Sequence, residues 1–326
     1  MDKCKNKKMK YILSIDQGTT SSRAIVFDEN QNIISEDQKE YDLFYPNDGW
    51  VEARPDEILA SVRETVDKAI DNSNVTINAC GITNQRETVV VWERASGKAI
   101  YPAIIWQDRR TSELCNELKK NKKLENEIRK KTGLLLDPYF SASKIKWILD
   151  NVEGARIKAK NGDLCFGTIE TFLIWNLTEE KNHKTDATNA SRTMLMNLET
   201  LAWDQSLLEI FNIPIEILPE ICSCDDTFGH IDKGDQKIPI TGVIGDQQSA
   251  LFGQNCFDFG EMKSTYGTGC FLMVNTKDKI YKSNAKLLST VGCKLGNETS
   301  YALEGSIFSA GTSIQWLRDE MKFFND

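Results

Sequence analysis

Two short turns combine glycine with hydroxylated side chains. The first, Asp16-Gln-Gly-Thr-Thr-Ser-Ser22, sets Thr19, Thr20 and Ser21 beside Gly18. A glycine that tolerates positive φ lets several N–H and O–H donors converge on one point, which suits a phosphate. Asp16, where the preceding strand ends, could hold a magnesium ion, usually through water, and Arg23 could meet a phosphate oxygen in a charge-assisted bond. The second turn, Thr265-Tyr-Gly-Thr-Gly269, offers Gly267 and Gly269 for close backbone approach and Thr268 for a hydroxyl. Either turn alone also reads as an ordinary hairpin tip. As a pair they could grip a polyphosphate from both sides.

A different chemistry is suggested by Asn84-Gln-Arg-Glu87, a guanidinium beside a carboxylate between two apolar runs. Neither charge is comfortable there unless paired or bound to a polar ligand. A structural ion pair is one reading. In the other, Arg86 donates to vicinal hydroxyls and Glu87 accepts from them, as a polyol requires. Trp106 and Tyr139 are core aromatics or an apolar wall with a polar tip. Asp246 stands between a strand and a helix, as an N-cap or as a base that takes a proton from an attacking alcohol.

These residues need elements to hold them. Lys10 to Ile15, Arg23 to Asp28 and Asn32 to Tyr41 read as strands, and Pro55 with Asp56 and Glu57 opens a helix whose apolar residues Ile58, Leu59, Val62, Val66, Ala69 and Ile70 keep helical spacing. Strands are expected at 77–82, 88–92 and 99–106, helices at 111–118, 141–149, 168–177 and 206–211, and a strand at 240–245 followed by a helix from Asp246. After Gly260 the opening pattern recurs: strand, hydroxyl-and-glycine turn, strand, two more strands, then a helix near Ser309. This repetition predicts an α/β protein with two related units and a ligand between them, residues 1–253 and 254–326. The second unit is only about half the usual minimum for a good core, so the sequence reads as truncated.

Composition narrows the classes. The 326 residues carry 40 Lys+Arg against 48 Asp+Glu, a net charge of −8 that argues against a nucleic-acid partner. Nine scattered cysteines read as reduced thiols and predict a cytoplasmic protein. The two histidines, His183 and His230, are expected at the surface. The basic N-terminus precedes an apolar run too short for a signal peptide or membrane span. No G-x-x-x-x-G-K-[ST] and no strand-linked G-x-G-x-x-G occurs, which sets aside P-loop and Rossmann sites.

The segments IDQGTTSSRAIVFD, GWVEARPDEI, GITNQRETVVVW, IIWQDRRT, GDQQSALFGQ, STYGTGCFLM and ALEGSIFSAGTSIQWLRDEMK together resemble the FGGY carbohydrate kinases, within the superfamily of actin-like, hexokinase and Hsp70 ATPases. The resemblance covers nearly the whole chain in the family's order. It implies an actin-like, ribonuclease H-like α/β fold of two domains around a cleft, the second domain incomplete. It implies ATP-dependent phosphorylation of glycerol to sn-glycerol 3-phosphate, with ATP and Mg²⁺ as cofactors. By position it assigns glycerol to Arg86, Glu87, Trp106, Tyr139, Asp246, Gln247 and Phe271, with Asp246 as general base. Nucleotide falls to Thr19, Thr20, Ser21, Arg23, Thr268, Gly311 and Gln315, and the metal to Asp16. The implied partners are glycerol and ATP, and the pattern is compatible with a homo-oligomer. A different FGGY sugar kinase, or a non-catalytic fragment that keeps the fold, are the alternatives.

Overall fold

The computed structural model describes residues 9–267 and 269–324. Its first unit is built on a six-stranded mixed sheet in the spatial order Ile33–Glu40, Ser21–Asp28, Tyr11–Gln17, Ala79–Asn84, Gln236–Gly245, Gly229–Lys233. The first three strands form an antiparallel meander. Leu13 and Ile15 alternate with more exposed neighbours and are fully buried, which fixes the register of the central strand.

A parallel strand must be reached by a crossover. Helix Pro55–Ser73 supplies it, with proline in its first turn and Asp56 and Glu57 at its positive end. Its buried face, Ile58, Val62, Val66, Ala69 and Ile70, packs on strands Ser21–Asp28 and Ile33–Glu40. The chain then enters Ala79–Asn84, parallel to Tyr11–Gln17, and much later Gln236–Gly245, parallel to Ala79–Asn84. The registers align Gln17 with Asn84 and Asn84 with Gly245. Three parallel strands therefore end side by side, and ligands of open α/β sheets bind beyond such ends.

The second sheet is antiparallel in the order Met262–Tyr266, Cys270–Lys277, Glu298–Ile307, Leu288–Leu295, followed by helix Gly311–Asp319. The opening hairpin does recur. The repeat is not exact, because the strand beside Cys270–Lys277 is the fourth of the unit, whereas the first unit runs as a simple meander.

Other expectations need correction. The strand expected over 99–106 is only Ala103–Ile104, paired with Glu52–Ala53, since Pro102 offers no N–H to a ladder. Helices Lys122–Thr132 and Ala155–Lys160 and the hairpin partner Gly229–Lys233 were not anticipated. His183 is half-buried rather than exposed: its ring packs edge-on against Trp92 and Trp175, its Nε2 meets the Phe166 carbonyl at 2.8 Å, and burial pushes its pKa down to about 4. The eight described cysteines are unpaired. Among the described residues no helix is long and apolar enough to cross a membrane.

Candidate active site

Each of the three aligned strand ends delivers a different group. Beyond Gln17 comes the first hydroxyl turn, closed by Gly18 N–H to the Ser21 carbonyl at 2.8 Å. Its carbonyls are tied back: Tyr41 Oη donates to those of Gly18 (2.6 Å) and Thr19 (2.7 Å), and Gln85 Nε2 also reaches Gly18 (3.0 Å). In a planar trans peptide the N–H points opposite its carbonyl, so the amides of Thr19 and Thr20 face the other way, the arrangement that receives an anion. Asp16 lies at the root of this turn. Desolvation raises its pKa, and the charge of Arg23 partly offsets the rise.

Beyond Asn84 the chain makes a tight reversal in which Thr88 N–H meets the Arg86 carbonyl at 2.8 Å. Glu87, at its centre, has φ of 62°, a left-handed conformation that a non-glycine residue holds only under constraint. The constraint is visible. Ser141 Oγ (3.1 Å) and the buried Lys144 ammonium (3.3 Å) both donate to the Glu87 carbonyl, and Lys144 also donates to the Tyr139 carbonyl at 2.5 Å. Those bonds fix the Glu87 side chain toward the cleft and set Tyr139 beside it.

Beyond Gly245 starts helix Asp246–Gly253. The Gly245 N–H is held by Thr188 Oγ1 at 2.9 Å. That hydroxyl belongs to a buried polar network in which Glu170 accepts from Thr168, Thr185 and Asn84, and Asn84 and Asn189 pair at 3.0 Å. Gly245 is needed here, because a Cβ would stand 2.9 Å from both Cγ and Cδ of Arg86. Asp246 is the first helical residue and not the N-cap, a place taken by Gly245. Its Oδ1 accepts from the Gln247 amide at 2.7 Å and faces Arg86 Nε at 3.3 Å, while 36% of its side chain stays exposed to the cleft. Desolvation pushes the Asp246 carboxyl up, Arg86 opposes this, and the charge of Asp16 adds to the rise.

These ends enclose a cavity of about 150 Å³. Thr19, Arg86, Glu87, Trp106, Tyr139, Asp246, Gln247 and Phe271 line it, together with Gln85, Thr265, Gly267 and Gly269. Trp106 is the hub of the apolar wall, edge-on to Tyr139 (5.8 Å between centroids) and Phe271 (5.9 Å), and its indole N–H donates to Thr19 Oγ1 at 2.9 Å. Thr268 lies outside the described residues, but its neighbours Gly267 and Gly269 face the same cavity as Thr19. The remaining candidates do not line it. Thr20 borders a separate surface hollow, Ser21 Oγ accepts from Gln38, and Arg23 donates to the same Gln38 at 3.0 and 2.5 Å. Gly311 is tied to the second turn through its N–H to the Gly267 carbonyl at 3.0 Å, and Gln315 is exposed on the helix that follows.

The expected Arg86–Glu87 pair needs revision. Their closest charged atoms are 3.9 Å apart, without a hydrogen bond. Glu87 accepts from Arg192 Nε at 2.6 Å, and Arg86 makes a forked pair with Glu304 at 2.6 and 3.1 Å. Arg192 Nη2 donates to Glu304 as well, at 2.8 Å, so one carboxylate of the second sheet serves two arginines of the first unit. All four are buried. Burial alone would raise the pKa of Glu304, but the guanidinium groups of Arg192 and Arg86 outweigh it and hold it at about 2. Arg192 and Glu304 were missed from sequence. Glu304 could have been found, since the alternation of its strand puts it on the inward side with Ala302. Arg192 lies near the end of the largely polar stretch Thr185 to Thr193, which nothing in its composition marks as buried.

The model of the FGGY family of carbohydrate kinases, N-terminal domain, matches residues 11–253. The chain belongs to the FGGY family of carbohydrate kinases. A glycerol kinase of Fusobacterium nucleatum is 55% identical over 324 residues, covering 98% of this chain and 65% of that relative. A glycerol kinase of Escherichia coli K12 is 53% identical, covering 97% of this chain and 64% of that relative. The chain thus spans about two thirds of the length of the curated relatives it matches. Among solved structures, the glycerol kinase of Plasmodium falciparum with ADP superimposes with a TM-score of 0.91 at 42% identity, over 98% of this chain and 65% of that one. The gluconate kinase of Lactobacillus acidophilus, at 24% identity and a TM-score of 0.83 over 98% of this chain and 63% of that one, shares the fold. The expected α/β architecture is therefore that of the FGGY kinases.

Proposed function

We propose that this site phosphorylates glycerol at the expense of ATP, and that residues 1–253 form the polyol-holding domain and 254–326 the beginning of the nucleotide-holding one. The carrying observation is the cavity that gathers donors (Arg86, Gln247), acceptors (Glu87, Asp246) and a three-ring wall (Trp106, Tyr139, Phe271) at the ends of parallel strands. A triol needs both hydrogen-bonding senses on one side and apolar cover for its carbon chain on the other. The relatives named glycerol kinase support the choice of polyol, and the relative solved with ADP supports an adenine nucleotide.

In this reading a terminal hydroxyl of glycerol lies against Asp246. Its oxygen bonds to the γ-phosphorus as the bond to the β–γ bridging oxygen breaks, its proton passes to the Asp246 carboxylate, and ADP departs. Positioning and charge stabilisation carry most of such a reaction. The outward amides of Thr19 and Thr20 would receive phosphate oxygens from one side, and the Gly267–Gly269 turn from the other. Thr20, Ser21, Arg23, Thr268, Gly311 and Gln315 would join as nucleotide contacts. Magnesium fits the donor present, the partly desolvated Asp16 carboxylate at the root of the first turn, because an ion arriving with a triphosphate needs only one or two hard carboxylate oxygens from the protein. Asp16 would hold it, and the ion would neutralise charge on the phosphates.

The test pairs the chain with Asp246→Asn. Glycerol affinity should change by only a few-fold, because the amide keeps the shape, while ATP-dependent glycerol phosphate formation falls by about 10²–10⁴. Equal turnover in the two proteins sinks the assignment of the base. A preference for xylulose or gluconate over glycerol in a substrate panel sinks the choice of substrate.

A further inference from the structure

Lys263 sits on strand Met262–Tyr266 of the second sheet, yet only 3% of it is exposed. Its ammonium donates to Gln247 Oε1 and, at 2.9 Å, to Thr265 Oγ1, both on residues that line the cavity. An ammonium has donors only, so it must meet the carbonyl end of the Gln247 amide. The other end is then left to donate, and Gln247 Nε2 does so to Asp246 Oδ2 at 3.1 Å. Without the ammonium the amide could turn over, bringing its oxygen against the Asp246 carboxylate, acceptor against acceptor.

We propose that Lys263 is a positioning residue of the polyol pocket: delivered from the second sheet, its ammonium sets the amide of Gln247 and, through it, the carboxylate of Asp246. The proposal deepens the reading of this site as a glycerol-phosphorylating one. It makes the pocket depend on the second sheet at a point separate from Glu304. Burial and the charge of Arg86 pull the Lys263 pKa down, Asp246, Glu304 and Cys256 oppose the fall, and the balance leaves it at about 8. Asp246 in turn faces Arg86, Asp16 and Gln247. Arg86 stays charged at any ordinary pH, and Glu304 is ionised well below neutrality. Mildly alkaline pH should therefore remove the Lys263 charge and be felt at Asp246.

The experiment follows the Asp246 carboxyl carbon by ¹³C NMR in the full chain, assigned by its loss in Asp246→Asn, from pH 6 to 10. An inflection near pH 8 is expected, and it should vanish in Lys263→Arg, whose guanidinium keeps its charge. In calorimetric glycerol titrations Lys263→Met should bind roughly 5- to 100-fold more weakly, the consequence of an unpaired buried acceptor, with Lys263→Arg recovering most of the loss. An inflection that persists in Lys263→Arg, or its absence from the parent chain, overturns the proposal. Should Lys263→Met fail to fold, the parent and Lys263→Arg titrations still decide. A chain that binds no glycerol in any form refutes the function proposed above, while the Asp246 signal continues to judge Lys263.

Discussion

Helix Pro55–Ser73 and helix Gly311–Asp319 each follow strands of their own unit and each carry apolar residues at helical spacing, but they end in different surroundings. The first buries nine residues against its sheet and the second buries none. The contrast extends to the units. Of the 23 exposed large apolar side chains among the described residues, fifteen lie beyond Gly253. The main hydrophobic core takes only Phe271 and Leu288 from that part. What joins the second unit to the first is to a large extent polar: Glu304 on Arg86 and Arg192, Lys263 on Gln247, and Ser191 Oγ with Thr290 Oγ1 at 2.8 Å. The seam therefore shares Arg86 and Gln247 with the pocket, and beside them two small apolar clusters, one of Ala187, Ala190, Met196 and Leu198 with Val291 and Tyr301 and one of Leu251 with Cys256, Met273 and Ala302, also cross it.

The strongest way to break this comparison is Glu304→Ala. It takes a shared carboxylate from two buried guanidinium groups, leaving Arg192 with Glu87 and Arg86 with Asp246 and Gln248, and removing one partner of a buried ion pair costs roughly 3–5 kcal/mol. Urea unfolding should show the second unit released first, with the first unit's transition left in place. A single unshifted transition would mean that the seam is held by something other than this carboxylate. Acid should act in the same direction. Because the Glu304 pKa is held below its ordinary value of 4.5, at about 2, its contribution is complete above pH 4.5 and is lost as pH falls toward 2. Release of the second sheet in that window, monitored by limited proteolysis, is expected in the parent chain and not in Glu304→Ala, where the contribution is already absent.

Gly133→Ala sharpens the same contrast at an intermediate size. Gly133 ends helix Lys122–Thr132 with φ of 73°, and a Cβ there would come within 2.4 Å of the Ser289 carbonyl oxygen on the second sheet. Gly154 has the same φ of 73° and nothing within 4 Å of its Cβ position. Gly154→Ala should cost only the left-handed backbone penalty, about 1–2 kcal/mol. Gly133→Ala should cost more and should weaken the contact between units as well. Equal midpoints for the two variants in denaturant would show that the seam yields at Ser289 without loss.

How much of this was legible beforehand follows from the range over which each feature is encoded. The central strands, helix Pro55–Ser73 and the two hairpin turns are local patterns, and the residues read for phosphate and polyol chemistry could be chosen from their own neighbourhoods. Thr19, Arg86, Glu87, Trp106, Tyr139, Asp246, Gln247 and Phe271 do line one cavity, although their roles stay proposals. The pairing of charges was not local. Arg86 meets Glu304 across 218 positions of chain and Glu87 meets Arg192 across 105, so adjacency in sequence pointed only to the longest contact of the cluster, 3.9 Å between Arg86 and Glu87. His183 misled for a related reason, since only the fold puts two tryptophans around it. Short helices such as Ala187–Ala190 left no periodic signal, yet one of them carries the hydroxyl that anchors the start of the Asp246 helix.

The smallest expected effect tests the exposed side of the comparison. Trp316 lies on helix Gly311–Asp319 with 53% of its surface open, whereas Trp92 in the first unit is fully enclosed among Phe172, Trp175 and His183. Truncating a buried tryptophan forfeits its transfer energy and leaves a cavity, so Trp92→Ala should cost about 3–5 kcal/mol. Trp316→Ser removes a ring that already touches water, and an exposed substitution of this kind should stay within about 0.5 kcal/mol. Chemical denaturation at two protein concentrations tenfold apart makes the difference decisive. If Trp316→Ser loses more than about 1 kcal/mol, and the loss grows with concentration, then the helix is covered in solution by another copy of the chain, and the asymmetry between the units belongs to the isolated chain alone. If the midpoint stays put at both concentrations, the second unit keeps its sheet and helix with only a small apolar interior, most of it shared with the first unit. Its hold on the first unit would then come from the buried charges around Glu304 together with the two small apolar clusters that cross the seam.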